Sequence, residues 1–166
     1  MEQISAKAFL FDLDGVIFNT EGQYSEFWNG IGFEYFGDGE LAARIKGQTL
    51  EQTFSQLFPD DEAARAEVKR RLYAFEDSMD YVYVPGALEF LEALKAAGHP
   101  SAIVTSSNRD KMDCVYRARP EILTAVGRIL TGEDFTRSKP WPDCYLLGMK
   151  VCGTSPSETV VFEDSF

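Results

Sequence analysis

Asp12 and Asp14 stand one residue apart at the end of an apolar run, Lys7-Ala8-Phe9-Leu10-Phe11. Far along the chain, Glu163 and Asp164 follow a second apolar run, Thr159-Val160-Val161-Phe162. A third, Ala102-Ile103-Val104-Thr105, leads into Ser106-Ser107-Asn108, and Lys139 precedes Pro140. Carboxylates can act as nucleophile, as general acid or base, or as oxygen ligands of a hard cation. Thr105 and Ser106 hydroxyls, the Lys139 ammonium and the helix N-terminus near Ser107-Asn108 suit an anion such as phosphate. Four carboxylates gathered in one place repel one another unless a cation sits among them. Mg2+, which takes oxygen ligands, is the cation expected.

Those residues need a scaffold that brings three strand ends together. The apolar runs are continuous and not alternating, which fits strands buried on both faces of a parallel sheet. Arg128-Ile129-Leu130-Thr131 reads as a further strand. Between the first strand and the rest the texture is helical. Tyr24, Phe27, Trp28, Ile31 and Tyr35 recur at helical spacing, with Gly30 and Gly32 weakening the middle. Thr49-Leu50-Glu51-Gln52 has capping-box spacing, and about Asp60 to Tyr81 is a charged helix. Helices are also expected over Ala87–Ala97, from Ser107-Asn108 to about Arg117, and from Pro142 to about Val151. The order is that of a doubly wound, Rossmann-like α/β core with an all-helical insertion. Residues 1–17 and 85–166 would form the core and 18–84 the helical cap. In such sheets ligands bind at the carboxyl ends of the strands, where the polar residues collect.

Composition narrows the function classes. The chain has 166 residues, a formal charge of −11, one histidine (His99) and three cysteines. A His-based metal cage or relay is excluded, and sparse cysteines without C-x-x-C spacing argue against a disulfide scaffold or structural zinc. The acidity argues against nucleic acid or an anionic membrane as partner. The start lacks a basic, apolar leader pattern, and no apolar run approaches the roughly 20 residues that span a bilayer. A cytoplasmic monomer is expected. Residues 18–84 hold 13 acids and 6 bases, against 14 and 10 elsewhere, so the sheet and not the insert should grip an anion.

Taken singly, the candidates have plain readings. Asp12 and Asp14 could sit in a solvated loop, Thr105-Ser106-Ser107 could be a helix cap, Lys139 a surface lysine, and Glu163-Asp164 a strand end. Phe27, Trp28, Phe33, Tyr35 and Phe36 read as core of the insert, His99 as a surface loop residue, and the cysteines as inert thiols.

Together and in order, Phe11-Asp12-Leu13-Asp14-Gly15-Val16-Ile17, Val104-Thr105-Ser106-Ser107-Asn108, Lys139-Pro140-Trp141-Pro142-Asp143 and Phe162-Glu163-Asp164-Ser165 resemble the four motifs of the haloacid dehalogenase superfamily. The closest resemblance is to its helical-cap branch of sugar-phosphate phosphatases and β-phosphoglucomutases. The resemblance implies Asp12 as nucleophile, forming an aspartyl-phosphate, and Asp14 as general acid, then base. It implies Mg2+ held by Asp12, Glu163, Asp164 and the backbone carbonyl of Asp14, and phosphoryl oxygens held by Thr105, Ser106 and Lys139. A dehalogenase needs no leaving-group acid, so Asp14 favours phosphoryl transfer.

The resemblance also separates phosphatase from mutase. The β-phosphoglucomutases carry His where this sequence has Tyr24, and Arg after a cap glycine where Gly47-Gln48-Thr49-Leu50 has none. The expectation is therefore a phosphatase of small sugar or polyol phosphates, with a small phosphorylated metabolite as its partner. The alternatives are a phosphomutase, a receiver-like phospho-acceptor or an inactive scaffold. Members of the family continue past the last motif with a further helix and strand, so a core lacking its C-terminal part is expected.

Overall fold

The computed structural model describes residues 6–137 and 139–165. Four parallel strands form one sheet in the order β3-β2-β1-β4. They are β1 (Ala8–Phe11), β2 (Ser101–Val104), β3 (Arg128–Leu130) and β4 (Thr159–Phe162). Between β1 and β2 lie α1 (Glu21–Phe36), α2 (Leu41–Ile45), α3 (Leu50–Leu57), α4 (Glu62–Ser78) and α5 (Ala87–Ala96). Helices α6 (Arg109–Ala118) and α7 (Ile122–Ala125) lead to β3, and α8 (Asp143–Cys152) leads back to β4.

The central strands β1 and β2 are covered on both faces, as their continuous apolar runs require, while β3 and β4 stay partly exposed. Phe11 and Ile103 face Leu91, Met112 and Ile122 of α5, α6 and α7. Their strand neighbours Leu10, Ala102 and Val104 face α8 through Cys144. This is the doubly wound arrangement expected. The strand ends differ from expectation by one residue: Lys7 lies before β1, and Thr105 and Thr131 lie just beyond β2 and β3.

Helices α1–α4 bury a separate apolar cluster, including Trp28, Ile31, Leu41, Phe54, Val68 and Leu72. The chain leaves the sheet at Phe18 and returns at Tyr83, where those two residues form an antiparallel bridge. The Asn19 backbone N–H donates to Val82 at 2.8 Å beside it. The capping box on α3 forms as its spacing predicts, with Thr49 accepting from the Gln52 backbone N–H. The helix expected over about Asp60 to Tyr81 is α4, capped by Asp61, whose side chain accepts from the Ala64 backbone N–H.

Two expectations about the insert need correction. Gly32 is no weak point. A Cβ there would lie 2.3 Å from the Asp38 carbonyl oxygen and 2.5 Å from Leu41 Cβ, so the glycine lets α2 fold back onto α1. Phe33 and Phe36 do not enter the core; they are 72% and 45% exposed, while Trp28 is buried. Both lie off the Tyr24-Trp28-Ile31-Tyr35 stripe that the other helices of the insert cover, with Phe33 on nearly the opposite side of α1.

Candidate active site

Strand register builds the centre of the site. Phe11 pairs with Ile103 on one side and Phe162 on the other, so Asp12, the 104–105 segment and Glu163 emerge side by side. Asp12, Glu163 and Asp164 each offer an oxygen, and those atoms lie within 4.8 Å of one another. Gly15 makes room for this grouping. Its φ is +78°, and a Cβ there would stand 2.5 Å from Asp164 Oδ2.

Lys139 enters the cluster from the loop before α8. Its Nζ lies 2.8 Å from Asp12 Oδ1 and 2.5 Å from Glu163 Oε2. Tyr145, in the first turn of α8, donates its hydroxyl to Glu163 Oε2 as well. The loop is braced outside by Arg137, whose guanidinium donates to both Asp143 carboxylate oxygens at 2.9 and 2.8 Å. Burial pushes the Asp12 carboxyl up to about 7, with the Lys139 charge opposing the rise. Burial also works against charge on Lys139 and Glu163. The adjacent Asp12 nevertheless holds the ammonium above the ordinary lysine range, and Lys139, Ser165 and Tyr145 hold Glu163 below the ordinary carboxylate range.

The Asp14 side chain belongs to a different set of contacts. Its Oδ1 accepts from Thr20 Oγ1 at 2.6 Å, and its Oδ2 accepts from Ser107 Oγ at 3.2 Å and from the Lys111 ammonium. Burial alone would raise its pKa, but Lys111 and the two hydroxyls outweigh it and hold Asp14 below the usual range. The carboxylate cluster thus excludes the Asp14 side chain; the role expected of it there was through its backbone carbonyl.

The two hydroxyls expected at the anion cradle differ. Thr105 is buried, and its Oγ1 accepts from the Ser107 backbone N–H at 3.0 Å, shaping the turn into α6. Asn108 is the residue that caps α6, accepting from the Lys111 backbone N–H. Ser106 Oγ is buried and has no hydrogen-bond partner among the described residues. An orphaned hydroxyl of this kind is costly unless a ligand completes it.

Asp12, Asp14, Thr105, Ser106, Lys139 and Asp164 all line one cavity of about 730 Å³, whose opposite wall comes from the insert, including Tyr24, Trp28 and Gln48. The insert contributes a cation too, contrary to the expectation from its net charge. Lys46, just past α2, places its Nζ 2.8 Å from Asp164 Oδ2 and 2.9 Å from Glu21 Oε2. Averaging charge over 67 residues hid the one lysine that points inward. Tyr145 and Lys111 were also missed. A lysine in the first turn of a helix, against the dipole, was the readable signal for Lys111.

A family model described as haloacid dehalogenase-like hydrolase matches residues 6–166. The chain belongs to this family. Among relatives of this hydrolase, hexitol phosphatase A of Escherichia coli (strain K12) is 35% identical over 96% of this chain and 74% of its own length. Glycerol-1-phosphate phosphohydrolase 1 of Saccharomyces cerevisiae is 30% identical over 98% of this chain and 68% of its own. A solved haloacid dehalogenase family hydrolase from Deinococcus radiodurans R1, with bound phosphate and sodium, superposes with a TM-score of 0.68. It is 28% identical, over 98% of this chain and 74% of that one. The haloacid dehalogenase-like chain shares its sheet-plus-helical-insert form with such structures. Among its described residues no helix is long and apolar enough to cross a membrane.

Proposed function

We propose that this hydrolase is a Mg2+-dependent phosphatase of small organic phosphates, sugar and polyol phosphates among them, with residues 18–84 as a cap over the sheet core. The observation that carries the reading is the meeting of Asp12, Lys139 and Asp164 with the unpartnered Ser106 hydroxyl in one cavity. The hexitol and glycerol-1-phosphate relatives support the substrate class.

Asp12 is the nucleophile: one of its oxygens attacks phosphorus in line and forms an aspartyl-phosphate. Lys139 and Ser106 hold phosphoryl oxygens, while Thr105 shapes the turn that presents Ser106. The oxygen-only donor set of Asp12, Glu163 and Asp164 fits Mg2+, with the Asp14 carbonyl as a further expected ligand. Mg2+ bound there would supply neutralisation of the charge on the transferring group. Asp14 serves the proton. Ionised, as Lys111 holds it, it is the base that takes a proton from the attacking water. A phosphate dianion brought close favours its protonated form by like-charge repulsion, and that form is the acid that protonates the leaving alcohol.

Tyr24 makes the mutase the weaker reading, since its hydroxyl is committed to Glu76 Oε1 at 2.8 Å. The test is release of inorganic phosphate from p-nitrophenyl phosphate and a panel of sugar and polyol phosphates with Mg2+. Release by the wild type and none by Asp12→Asn is expected. Wild-type turnover by that variant would overturn the assignment, and hexose phosphate interconversion without free phosphate would establish the mutase.

A further inference from the structure

Lys111 is placed against two rules at once. It is the third residue of α6, where a cation opposes the helix dipole. It is also only 3% exposed, and lysines are almost never that buried unless paired. Local helix stability therefore does not account for a lysine at this position.

Its partner is Asp14. The Lys111 ammonium donates to Asp14 Oδ2, completing a set of three donors with Thr20 and Ser107 that leaves the carboxyl one orientation. The stem is fixed at its base by the Asn108 cap on the Lys111 backbone N–H, 2.9 Å away. At its tip the ammonium lies 4.5 Å from the centroid of the Tyr24 ring, so the insert closes over it. A second anion on the substrate would have to displace Asp14 from this ammonium, which makes a substrate-binding role the poorer account.

We infer that Lys111 is a positioning residue that aims Asp14 at the leaving-group oxygen. The inference rests on the phosphatase reading. As the bond from phosphorus to the leaving oxygen breaks and the bond to Asp12 forms, that oxygen keeps the electron pair and takes the proton from Asp14. Lys111 touches none of these atoms and acts only through the carboxyl it holds.

Leaving-group dependence tests this, because an alkoxide needs the proton and a nitrophenolate does not. The ratio kcat/KM reports the step in which the leaving group departs. Lys111→Met should lose roughly tenfold to a hundredfold in kcat/KM on an alkyl phosphate such as glycerol 1-phosphate, the scale of general acid catalysis. On p-nitrophenyl phosphate it should lose less than about threefold. Equal losses on both esters, or no loss on either, would overturn the inference. Should Lys111→Met fail to fold by circular dichroism, Lys111→Arg carries the same comparison. It keeps the charge but not its point of attachment, so the alkyl-to-aryl ratio should fall, and an unchanged ratio overturns the proposal. Folded wild type that hydrolyses neither ester with saturating Mg2+ overturns the phosphatase reading and this one with it. Normal wild-type rates with an unchanged ratio in the variants overturn this one alone.

Discussion

The Lys46 ammonium of the helical insert lies 2.8 Å from Asp164 Oδ2 of the sheet core. It is the cation of the insert that reaches the carboxylate cluster, and it shares itself with Glu21 at the start of α1. Lys46 and a divalent ion therefore draw on the same carboxylate. Lys46→Met should tighten Mg2+ or Mn2+ binding about two- to fivefold. That is the range of a partly exposed ion pair, since the Lys46 side chain is 40% exposed. Isothermal titration of the chelator-treated protein checks this, and weaker binding in the variant would contradict it.

Asp12 leads to a pH prediction. Burial raises its carboxyl to about 7 in the folded chain, against about 3.9 for an exposed aspartate. Between those values the folded state holds a proton that the unfolded state has released. Its contribution to stability is therefore full below about pH 4 and is lost as pH rises through 7. Melting temperatures of metal-free protein should fall more steeply from pH 5 to 7.5 in wild type than in Asp12→Asn. Divalent ion affinity should rise over the same interval, because the ion must displace that proton.

Ser106→Ala separates binding from stability. Its hydroxyl is buried and unpartnered, so removing it should leave thermal stability unchanged or slightly higher. Inhibition by inorganic phosphate should weaken by roughly tenfold, the scale of one hydrogen bond to a charged group. A loss of stability with unchanged phosphate affinity would reverse both halves of this expectation.

Gly15→Ala tests the close approach. The methyl group would meet the Asp164 carboxylate at 2.5 Å in a backbone conformation, φ +78°, that alanine resists. A cost of about 1–3 kcal/mol in denaturant unfolding is expected. Mn2+ affinity, read by electron paramagnetic resonance, should fall with it because Asp164 must move.

The residues at strand ends were legible in the sequence because strand ends are local. An apolar run followed by Asp12, Thr105 or Glu163 needs only a parallel sheet to bring those residues together. Ser106 was legible for the same reason. Lys46 and Lys111 were not, since each is one lysine among sixteen basic residues and its partner lies 118 or 97 positions away. Gly32 was misread because helix propensity registers a missing side chain as weakness. Only the docking of α2 turns that absence into a fit. Phe33 and Phe36 differ: their apolar character suggests core, but they fall outside the Tyr24-Trp28-Ile31-Tyr35 face that the insert buries.

The β1–β4 ladder sets Phe11 opposite Phe162, and the two rings stack with centroids 4.8 Å apart. Asp12 and Glu163 each follow one of these two phenylalanines, so the acids of the site take their separation from the pairing of two strands. Like charges that repel one another are thereby held together by an apolar contact one residue behind them.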